Sequence, residues 1–295
     1  MQLSDQDLAA LGEAATSAAL KAGELISSYS SKKLNVENKG GADSLASQVV
    51  TEVDLMAQEL ILEMLDKYSK LFDLGTLGEE SPDNHERFEK NYFWCIDPID
   101  GTLAFINQQH GYAVSIGLVS KSGEPVIGVI FDPLEKILYK AVKGQGAFRN
   151  GRKWTVQPAA DAPLYLVSDS SFQDHPLFNE SISELKAISK DLGYNGFETQ
   201  FKGGAALNAC WVLEKAPACY FKYPKKKQGG GSLWDYAASA CIYSEAGAWA
   251  SNMYGEPLDL NRKDSTFMNH EGILYASNEE LAKEIIEVGK KLKKE

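Results

Sequence analysis

The sequence has little of what soft-metal sites and disulfide frameworks require. Its 295 residues include four Cys and four His, with no CxxC pair and no cluster of His. The Cys residues lie in apolar stretches, which is typical of reduced, packed thiols. These absences argue against a zinc site or a disulfide-stapled fold, so we expect any metal site to use oxygen ligands.

The sequence also lacks an excess of basic residues and long hydrophobic runs. Its formal net charge of -11 argues against a face that binds a nucleic acid polymer or an anionic membrane. It has no run of 18 apolar residues, and its first residues lack the basic-then-apolar order of a signal peptide. We therefore expect a soluble, cytoplasmic protein that binds any anionic partner locally.

What is present is a change of pattern near the middle of the chain. Short strands rich in β-branched and aromatic residues follow the first helices, and after about residue 157 strands and helices alternate. Helices are predicted over 5–29, 50–68, 176–192, 204–214 and 233–246. The sequence thus predicts an α/β (α+β) protein, in which parts 1–156 and 157–295 pack as one structural unit.

Acidic residues lie beside several of the apolar runs. They are Asp54, Glu79, Asp97, Asp100 and Asp235. Two unit charges about 4 Å apart repel by about 4 kcal/mol at an effective dielectric constant of about 20. Carboxylates that converge therefore need a positive counter-charge. Mg²⁺ would supply it, because it is a divalent cation that prefers oxygen ligands.

The segment WCIDPIDGT, at 94–102, places two of these acids next to groups that suit a phosphate. Pro98 fixes a φ angle, which would keep the Ile99 carbonyl out of a regular strand ladder and available to a metal. Gly101 and Thr102 begin a predicted helix, whose N-terminus offers N–H groups to an anion. Carboxylate-held metals beside such groups suit the cleavage of a phosphate ester.

Each of these features alone has a simpler explanation. A lone D-x-x-D is most often a turn with solvated acids, and an acid such as Asp235 at a helix start is typical of a cap. A run of lysines, such as the one at 225–227, is most often part of the solvated surface. Their joint occurrence is what favours a functional site.

Together the segments resemble the inositol monophosphatase family of magnesium-dependent, lithium-sensitive phosphatases. The matching segments are GEES at 78–81, WCIDPIDGT at 94–102, AVSIGLV at 113–119, GVIFDP at 128–133, KGQGAFRNG at 143–151, GGAALN at 203–208 and WDYAASACIYSEAGA at 234–248. They occur in the family's order. The resemblance implies a layered αβαβα sandwich, often paired as a homodimer, that acts on a small phosphorylated metabolite.

The resemblance also implies a metal-binding role for most of the acidic positions. Glu79, Asp97 and the Ile99 carbonyl would hold one Mg²⁺. Asp97, Asp100 and Asp235 would hold a second, and Glu79 would share a third ion with water. Two to three ions are therefore expected.

Catalytic and phosphate contacts follow from the same resemblance. Thr102, oriented by Asp54, would position the water that attacks phosphorus, and Glu79 would take part in catalysis. The backbone of Gly101 and Thr102 would bind the phosphate. The expected mechanism is in-line displacement by water without a phosphoenzyme intermediate, as positioning and charge stabilisation dominate phosphoryl transfer.

The segments that would contact the leaving group point to two branches of the family. The GGAALN segment resembles the inositol-type substrate motif through Gly203, Gly204 and Ala205. The acidic residue expected shortly before WD is replaced by KYPKKKQGGGS at 222–232. The lysines that could receive a second phosphate there are Lys225, Lys226 and Lys227.

The stretch LDLNRKDSTFMNHEGILYAS resembles the bacterial 3'(2'),5'-bisphosphate nucleotidases. We rank hydrolysis of a small phosphorylated polyol such as inositol monophosphate first, and a 3'(2'),5'-bisphosphate nucleotidase second. A non-catalytic metal-binding regulator ranks third. The family resemblance also makes the polar loop at 30–47, with Lys39, a candidate lid over the substrate.

Overall fold

The computed structural model describes residues 2–29, 36–38, 49–157, 159 and 161–292. Within these ranges the α-helices, in chain order, are α1 Asp5–Tyr29, α2 Glu52–Phe72, α3 Thr102–Ile106, α4 Phe178–Asp191, α5 Ala205–Glu214, α6 Leu233–Ala246 and α7 Glu279–Leu292. The predicted helices over 5–29 and 233–246 are confirmed with the same bounds. The proposed lid at 30–47, including Lys39, lies outside the described residues except for 36–38.

The strands, in chain order, are β1 Val36–Asn38, β2 Val49–Thr51, β3 Gly75–Gly78, β4 Tyr92–Asp100, β5 Ala113–Ser120, β6 Pro125–Asp132, β7 Ile137–Val142, β8 Gly146–Arg149, β9 Arg152–Trp154, β10 Leu164–Ser168, β11 Phe197–Phe201, β12 Ala218–Lys222, β13 Trp249–Ser251 and β14 Ile273–Ala276. Strands β1 and β2 form an antiparallel pair. The second predicted helix therefore begins at Glu52 rather than at residue 50, because a strand precedes it.

The first large sheet has seven strands in the order β3-β4-β5-β6-β7-β8-β9. Strand β3 is parallel to β4, and the remaining neighbours are antiparallel. Along β4 the side chains alternate between two layers, as a strand requires. Phe93 and Cys95 pack on one side, whereas Trp94 and Ile96 pack on the other.

The second large sheet has five strands in the order β11-β10-β12-β14-β13. Strands β11, β10 and β12 are parallel neighbours, and β14 is antiparallel to β12. The carboxyl ends of the three parallel strands therefore meet at one edge of this sheet. In open α/β sheets that edge is where ligands bind.

Five layers result from the way in which the helices cover the two sheets. Helices α1 and α2 cover the outer face of the first sheet, α5 and α6 lie between the sheets, and α4 and α7 cover the outer face of the second. The predicted layered αβαβα sandwich is thus confirmed. Within the described part of the chain, no helix is both long enough and apolar enough to cross a membrane.

Glycines on the first sheet let helix α6 approach it closely. Gly117 on β5 pairs with Gly128 on β6. A Cβ atom at Gly128 would lie 2.9 Å from the carbonyl carbon of Ala238, and one at Gly117 would lie 2.9 Å from the Cβ of Ala237. Because real Cβ contacts are longer than this, larger side chains at either position would push α6 away from the sheet.

The division of the chain near residue 157 falls between the two large sheets. Strand β9 ends at Trp154 and strand β10 begins at Leu164, while α6 from the second part packs on the sheet of the first. An N-terminal part at 1–156 and a C-terminal part at 157–295, packed as one structural unit, remain our proposal for the domain organisation.

Candidate active site

The carboxyl end of strand β4 is irregular between its two acidic residues. The pairing of β4 with β5 shifts register between Asp97 and Asp100. Side chains three residues apart in a regular strand would face opposite sides of the sheet. A bulge re-aims side chains, and here it lets both carboxylates face the same cluster.

Three carboxylates converge at this point. One oxygen from each of Asp97, Asp100 and Asp235 lies within 4.8 Å of the others. Burial, followed by the charge of Glu79, raises the pKa of Asp97 well above its usual range. Burial, followed by the charge of Asp235, does the same to the pKa of Asp100.

The cluster fits a hard divalent cation. All its ligand atoms are carboxylate oxygens, which calcium and magnesium prefer. Among the described residues, Oδ1 of Asp97 is buried and has no hydrogen-bond partner. A buried acceptor without a donor is unfavourable, so a cation at this oxygen would satisfy it.

Glu79 lies beside this cluster because of the parallel pairing of β3 and β4. It follows β3 directly, and its N–H donates to the Ile96 carbonyl at 3.1 Å. Its charge acts on the neighbouring Asp97. Within the described residues, Glu79 does not belong to the group whose oxygens all lie within 4.8 Å.

Asp100 is held by the N-terminus of helix α5. Its Oδ1 accepts a hydrogen bond from the Ala205 N–H at 3.0 Å, and its Oδ2 accepts one from the Ala206 N–H at 2.8 Å. A Cβ atom at Gly204 would lie 2.6 Å from Asp100 Oδ1, which explains the glycine. The Ala205 N–H therefore binds this carboxylate, a role that the sequence interpretation had not included.

Asp235 has two roles. Its Oδ2 accepts a hydrogen bond from the Ser232 N–H at 2.6 Å, so it caps its own helix α6, as the simpler explanation held. It also contributes an oxygen to the cluster. Both roles are compatible because a carboxylate has two oxygens and several lone pairs.

The chain turns sharply after Asp100. Gly101 has a φ of 87°, and a side chain there would collide with the Gly111 carbonyl oxygen. The turn begins the short helix α3, in which Thr102 is 7% exposed. Thr102 Oγ1 donates a hydrogen bond to the Ile99 carbonyl at 3.1 Å.

The remaining predicted residues lie farther out or on other elements. Asp54 is 1% exposed in the first turn of α2, a helix that packs against β4. Lys225 is half-buried, and its Cε would lie 3.4 Å from a Cβ atom at Gly230. Lys226 and Lys227 are exposed.

Sequence reasoning passed over two residues at the carboxyl edge of the second sheet. Lys222 is the last residue of β12, and its Nζ lies 3.2 Å from Oδ2 of Asp169, which follows β10. The available signal was a charged residue at the end of the apolar run ACYF, the pattern that identified Asp97. The neighbouring lysine run drew the interpretation to Lys225 instead.

The sequence of this chain is similar to those of known proteins. Residues 7–292 match the model of the inositol monophosphatase family. The 3'(2'),5'-bisphosphate nucleotidase CysQ of Salmonella typhimurium is 32% identical over 224 residues, which cover 75% of this chain and 82% of that protein. Human inositol monophosphatase 2 is 30% identical over 274 residues, which cover 88% and 89%.

Among solved structures, the extragenic suppressor protein suhB of Bartonella henselae superposes with a TM-score of 0.72. It is 26% identical, and the match covers 96% of this chain and 99% of that one. The family match spans both large sheets and every member of the carboxylate cluster. The chain therefore belongs to the inositol monophosphatase family and is a phosphatase that hydrolyses phosphoric monoesters.

Proposed function

We propose that the protein is a Mg²⁺-dependent phosphatase of a small phosphorylated polyol such as inositol monophosphate. The observation that carries the proposal is the convergence of Asp97, Asp100 and Asp235 to within 4.8 Å. Carboxylates so close together repel one another, and an oxygen-only donor set suits Mg²⁺ better than a softer metal.

The proposed ligands follow the positions of these groups. Glu79, Asp97 and the Ile99 carbonyl would hold one ion, while Asp97, Asp100 and Asp235 would hold another, with Glu79 contributing to a third. Bound metal would supply positive charge to the phosphate and acidify a water. The Ile99 carbonyl already accepts a hydrogen bond from Thr102, but a carbonyl oxygen has a second lone pair.

Thr102 is suited to orient the attacking water. Because its hydroxyl proton is donated to Ile99, its oxygen can accept a hydrogen bond from a water. We assign Asp54, Glu79 and Thr102 to catalysis, and the backbone of Gly101 and Thr102 to phosphate binding. The water would attack phosphorus in line with the leaving oxygen, without a phosphoenzyme intermediate.

The leaving group has a second candidate, the adenosine 5'-monophosphate that a 3'(2'),5'-bisphosphate nucleotidase releases from adenosine 3',5'-bisphosphate. Lys222 at the edge of the site favours it, as does the similarity to the Salmonella nucleotidase. Lys225, Lys226 and Lys227 are further proposed contacts to a second phosphate, and Gly203, Gly204 and Ala205 to a polyol. Family membership supports either enzyme over the non-catalytic regulator.

The test is phosphate release from myo-inositol 1-phosphate and adenosine 3',5'-bisphosphate, with Mg²⁺ and then with a chelator. We expect turnover that the chelator abolishes and that Mg²⁺ restores. Release that persists in the chelator would contradict the metal dependence. A nucleotide preference of about tenfold or more in kcat/KM would overturn the polyol in favour of the second candidate.

Assembly and location also remain proposals. We propose a cytoplasmic enzyme that forms a homodimer and binds neither nucleic acid polymers nor membranes. Sedimentation of the purified protein tests the dimer, because a single species at the mass of one chain would contradict it. Cell fractionation tests the location.

A further inference from the structure

Arg87 is a buried cation that the proposed mechanism does not use. It belongs to a single turn of 3₁₀ helix, Glu86–Phe88, in the connection between β3 and β4. Its side chain is 2% exposed, and the centre of its guanidinium lies 3.9 Å from the centre of the Phe88 ring. A charge so well shielded from water needs partners within the protein.

The partners of Arg87 come from both parts of the chain. Its Nε donates to Oδ2 of Asp83 at 2.8 Å, and its Nη1 donates to Oδ1 of Asn261 at 2.8 Å and to the Arg262 carbonyl at 2.7 Å. Asn261 Nδ2 in turn donates to the Arg87 carbonyl at 3.0 Å and to the Lys121 carbonyl at 2.9 Å. Arg87 and Asn261 thus exchange side-chain and backbone hydrogen bonds across 174 positions of the sequence.

On one side this link holds the segment that begins with Glu79. The Glu80 N–H donates to Oε1 of Gln58 on α2 at 2.9 Å, and Gln58 Nε2 donates to the Ser81 hydroxyl at 2.7 Å. Helix α2 therefore fixes the start of segment 79–88, while Arg87 fixes its end.

On the other side the link leads to the start of α6. The Arg262 carbonyl accepts from Arg87, and the Arg262 guanidinium donates to the Phe267 carbonyl at 3.2 Å. Phe267 forms an antiparallel bridge with Ser232, the N-cap of α6. Because the Ser232 N–H donates to Asp235, the chain of contacts from Arg87 ends at a member of the carboxylate cluster.

Arg87 and Asp235 also act on one buried side chain of β4. Burial raises the pKa of the Cys95 thiol, the charge of Arg87 opposes this rise, and the charge of Asp235 adds to it. Cys95 packs in the layer between the two sheets, where α6 lies. Arg87 therefore lies close to the start of α6 in space as well as being linked to it by contacts.

Neither stability nor charge accounts well for a buried arginine at this place. A buried ion pair adds little net stability, because both charges lose their hydration. A positive charge near a cluster that binds a cation weakens that binding through Coulomb repulsion. The fixed, forked geometry of the guanidinium, which holds two distant segments at once, is the property that an apolar side chain would lack.

We propose that Arg87 and Asn261 are positioning residues that hold segment 79–88 and the start of α6 at the separation that a divalent ion requires. The inference rests on the metal-dependent phosphatase function proposed above. Neither residue touches the metal or the substrate. They place Glu79 and Asp235 before the ion arrives, so that binding does not have to order both segments.

The experiment measures the affinity of the purified full-length protein for Mg²⁺ by calorimetry, without substrate. We expect Arg87→Met to weaken binding by about tenfold, as the loss of groups that orient metal ligands does. At saturating Mg²⁺ its kcat should stay within about threefold of the wild type, because the bound ion then holds the ligands itself. The direction is decisive, since the loss of a positive charge would by itself strengthen the binding of a cation.

Two further variants test the link rather than the charge. Asn261→Leu changes no charge and should weaken Mg²⁺ binding by a similar factor. The double variant Arg87→Met with Asn261→Leu should bind no more weakly than either single variant, because both substitutions break one link. Arg87→Lys should resemble Arg87→Met, since an ammonium keeps the charge but cannot reproduce the fork.

The controls separate positioning from a general loss of stability. Arg149→Met removes a guanidinium that pairs with Glu214 on the distant strand β8, and Mg²⁺ affinity should stay within about twofold. Gly23→Ala on α1 would collide with the Phe131 ring, so it should lower the melting temperature without changing that affinity. Melting temperatures of all variants are compared in the absence of Mg²⁺.

Amide hydrogen exchange of the metal-free protein gives a second readout. Arg87→Met should speed exchange both at 79–88 and at 231–235. Faster exchange at 79–88 alone would show that Arg87 stabilises only its own segment, and would overturn the inference. Should Arg87→Met fail to fold, Asn261→Leu carries both measurements.

The outcomes also distinguish the inference from the function on which it rests. Unchanged or tighter Mg²⁺ binding in Arg87→Met and Asn261→Leu, or fully additive losses in the double variant, would overturn the positioning role and leave the phosphatase intact. A wild-type protein that neither binds Mg²⁺ nor releases phosphate from the substrates above would overturn the proposed function and this inference together.

Discussion

Gly204 lies against the carboxylate of Asp100, so closely that a Cβ atom would sit 2.6 Å from Oδ1. The φ angle of Gly204 is -72°, which any residue can adopt, so the glycine is required by space rather than by backbone conformation. We expect Gly204→Ala to displace Asp100 and to lower kcat by about tenfold or more, since small misplacements at a reacting centre are costly. Steady-state kinetics at saturating Mg²⁺ check this.

The control for that substitution is Gly289→Ala on helix α7. A Cβ atom there meets the flexible end of Met253 at 2.9 Å, which can move aside. Because alanine is favoured over glycine within helices by about 1 kcal/mol, stability should hold or rise with activity unchanged. Full activity in Gly204→Ala would show that Asp100 tolerates displacement.

Asp97→Asn should abolish turnover without unfolding the protein. The substitution removes a proposed shared metal ligand and relieves repulsion among the buried carboxylates. Mg²⁺ should raise the melting temperature of the wild type, because a ligand that binds the folded state stabilises it. The same addition should have much less effect on the variant, as thermal denaturation at several Mg²⁺ concentrations would show.

The residual rate of Asp97→Asn decides whether this prediction holds. A variant that retains more than about a tenth of the wild-type rate at saturating Mg²⁺ would refute the role of Asp97 as a shared ligand. Asp66→Asn is a suitable control, because Asp66 pairs with Lys70 on the exposed side of α2, away from the cluster. It should change neither the rate nor the response to Mg²⁺.

Thr102→Val should lower kcat by about tenfold or more while Mg²⁺ still stabilises the protein. Valine has nearly the shape of threonine but lacks the hydroxyl that donates to Ile99. Thr102→Ser keeps the hydroxyl and should retain much more activity. Equal activity in the two variants would show that the hydroxyl does not orient the water.

Gly128→Ala should lower the free energy of unfolding by about 1–3 kcal/mol, as overpacking of a dense interior does. The new methyl group would collide with the backbone of Ala238 on α6. Because α6 also carries Asp235, the affinity for Mg²⁺ should fall together with stability. Urea denaturation and calorimetric titration measure the two effects, and a loss of stability alone would separate packing from the site.

The sequence was sufficient for the features that are encoded locally. The alternation of strands and helices after about residue 157 was predicted correctly, and the bounds of α6 were predicted to the residue. The family and the layered architecture were also predicted, because several segments together are far more specific than any one of them. Asp97 and Asp100 were also identified from the sequence, because both lie at the end of an apolar run.

Contacts between distant segments were not predictable in this way. The hydrogen bonds from Ala205 and Ala206 to Asp100 join residues more than 100 positions apart in the sequence, and no local pattern predicts them. Lys222 was overlooked because its environment depends on which strands are neighbours and on where β10 ends. The assignments of individual residues to metal, phosphate and leaving group remain predictions that the variants and the substrate comparison above test.

The first turns of α5 and α6 both contact the carboxylate cluster, so a bound ion would connect separate layers of the fold. Asp97 and Asp100 lie on the first sheet, whereas α5 and α6 belong to the stretch of chain that builds the second. An ion bound by both Asp97 and Asp235 would cross-link these layers. Amide hydrogen exchange should therefore slow together at β4 and at the first turn of α6 when the ion is bound.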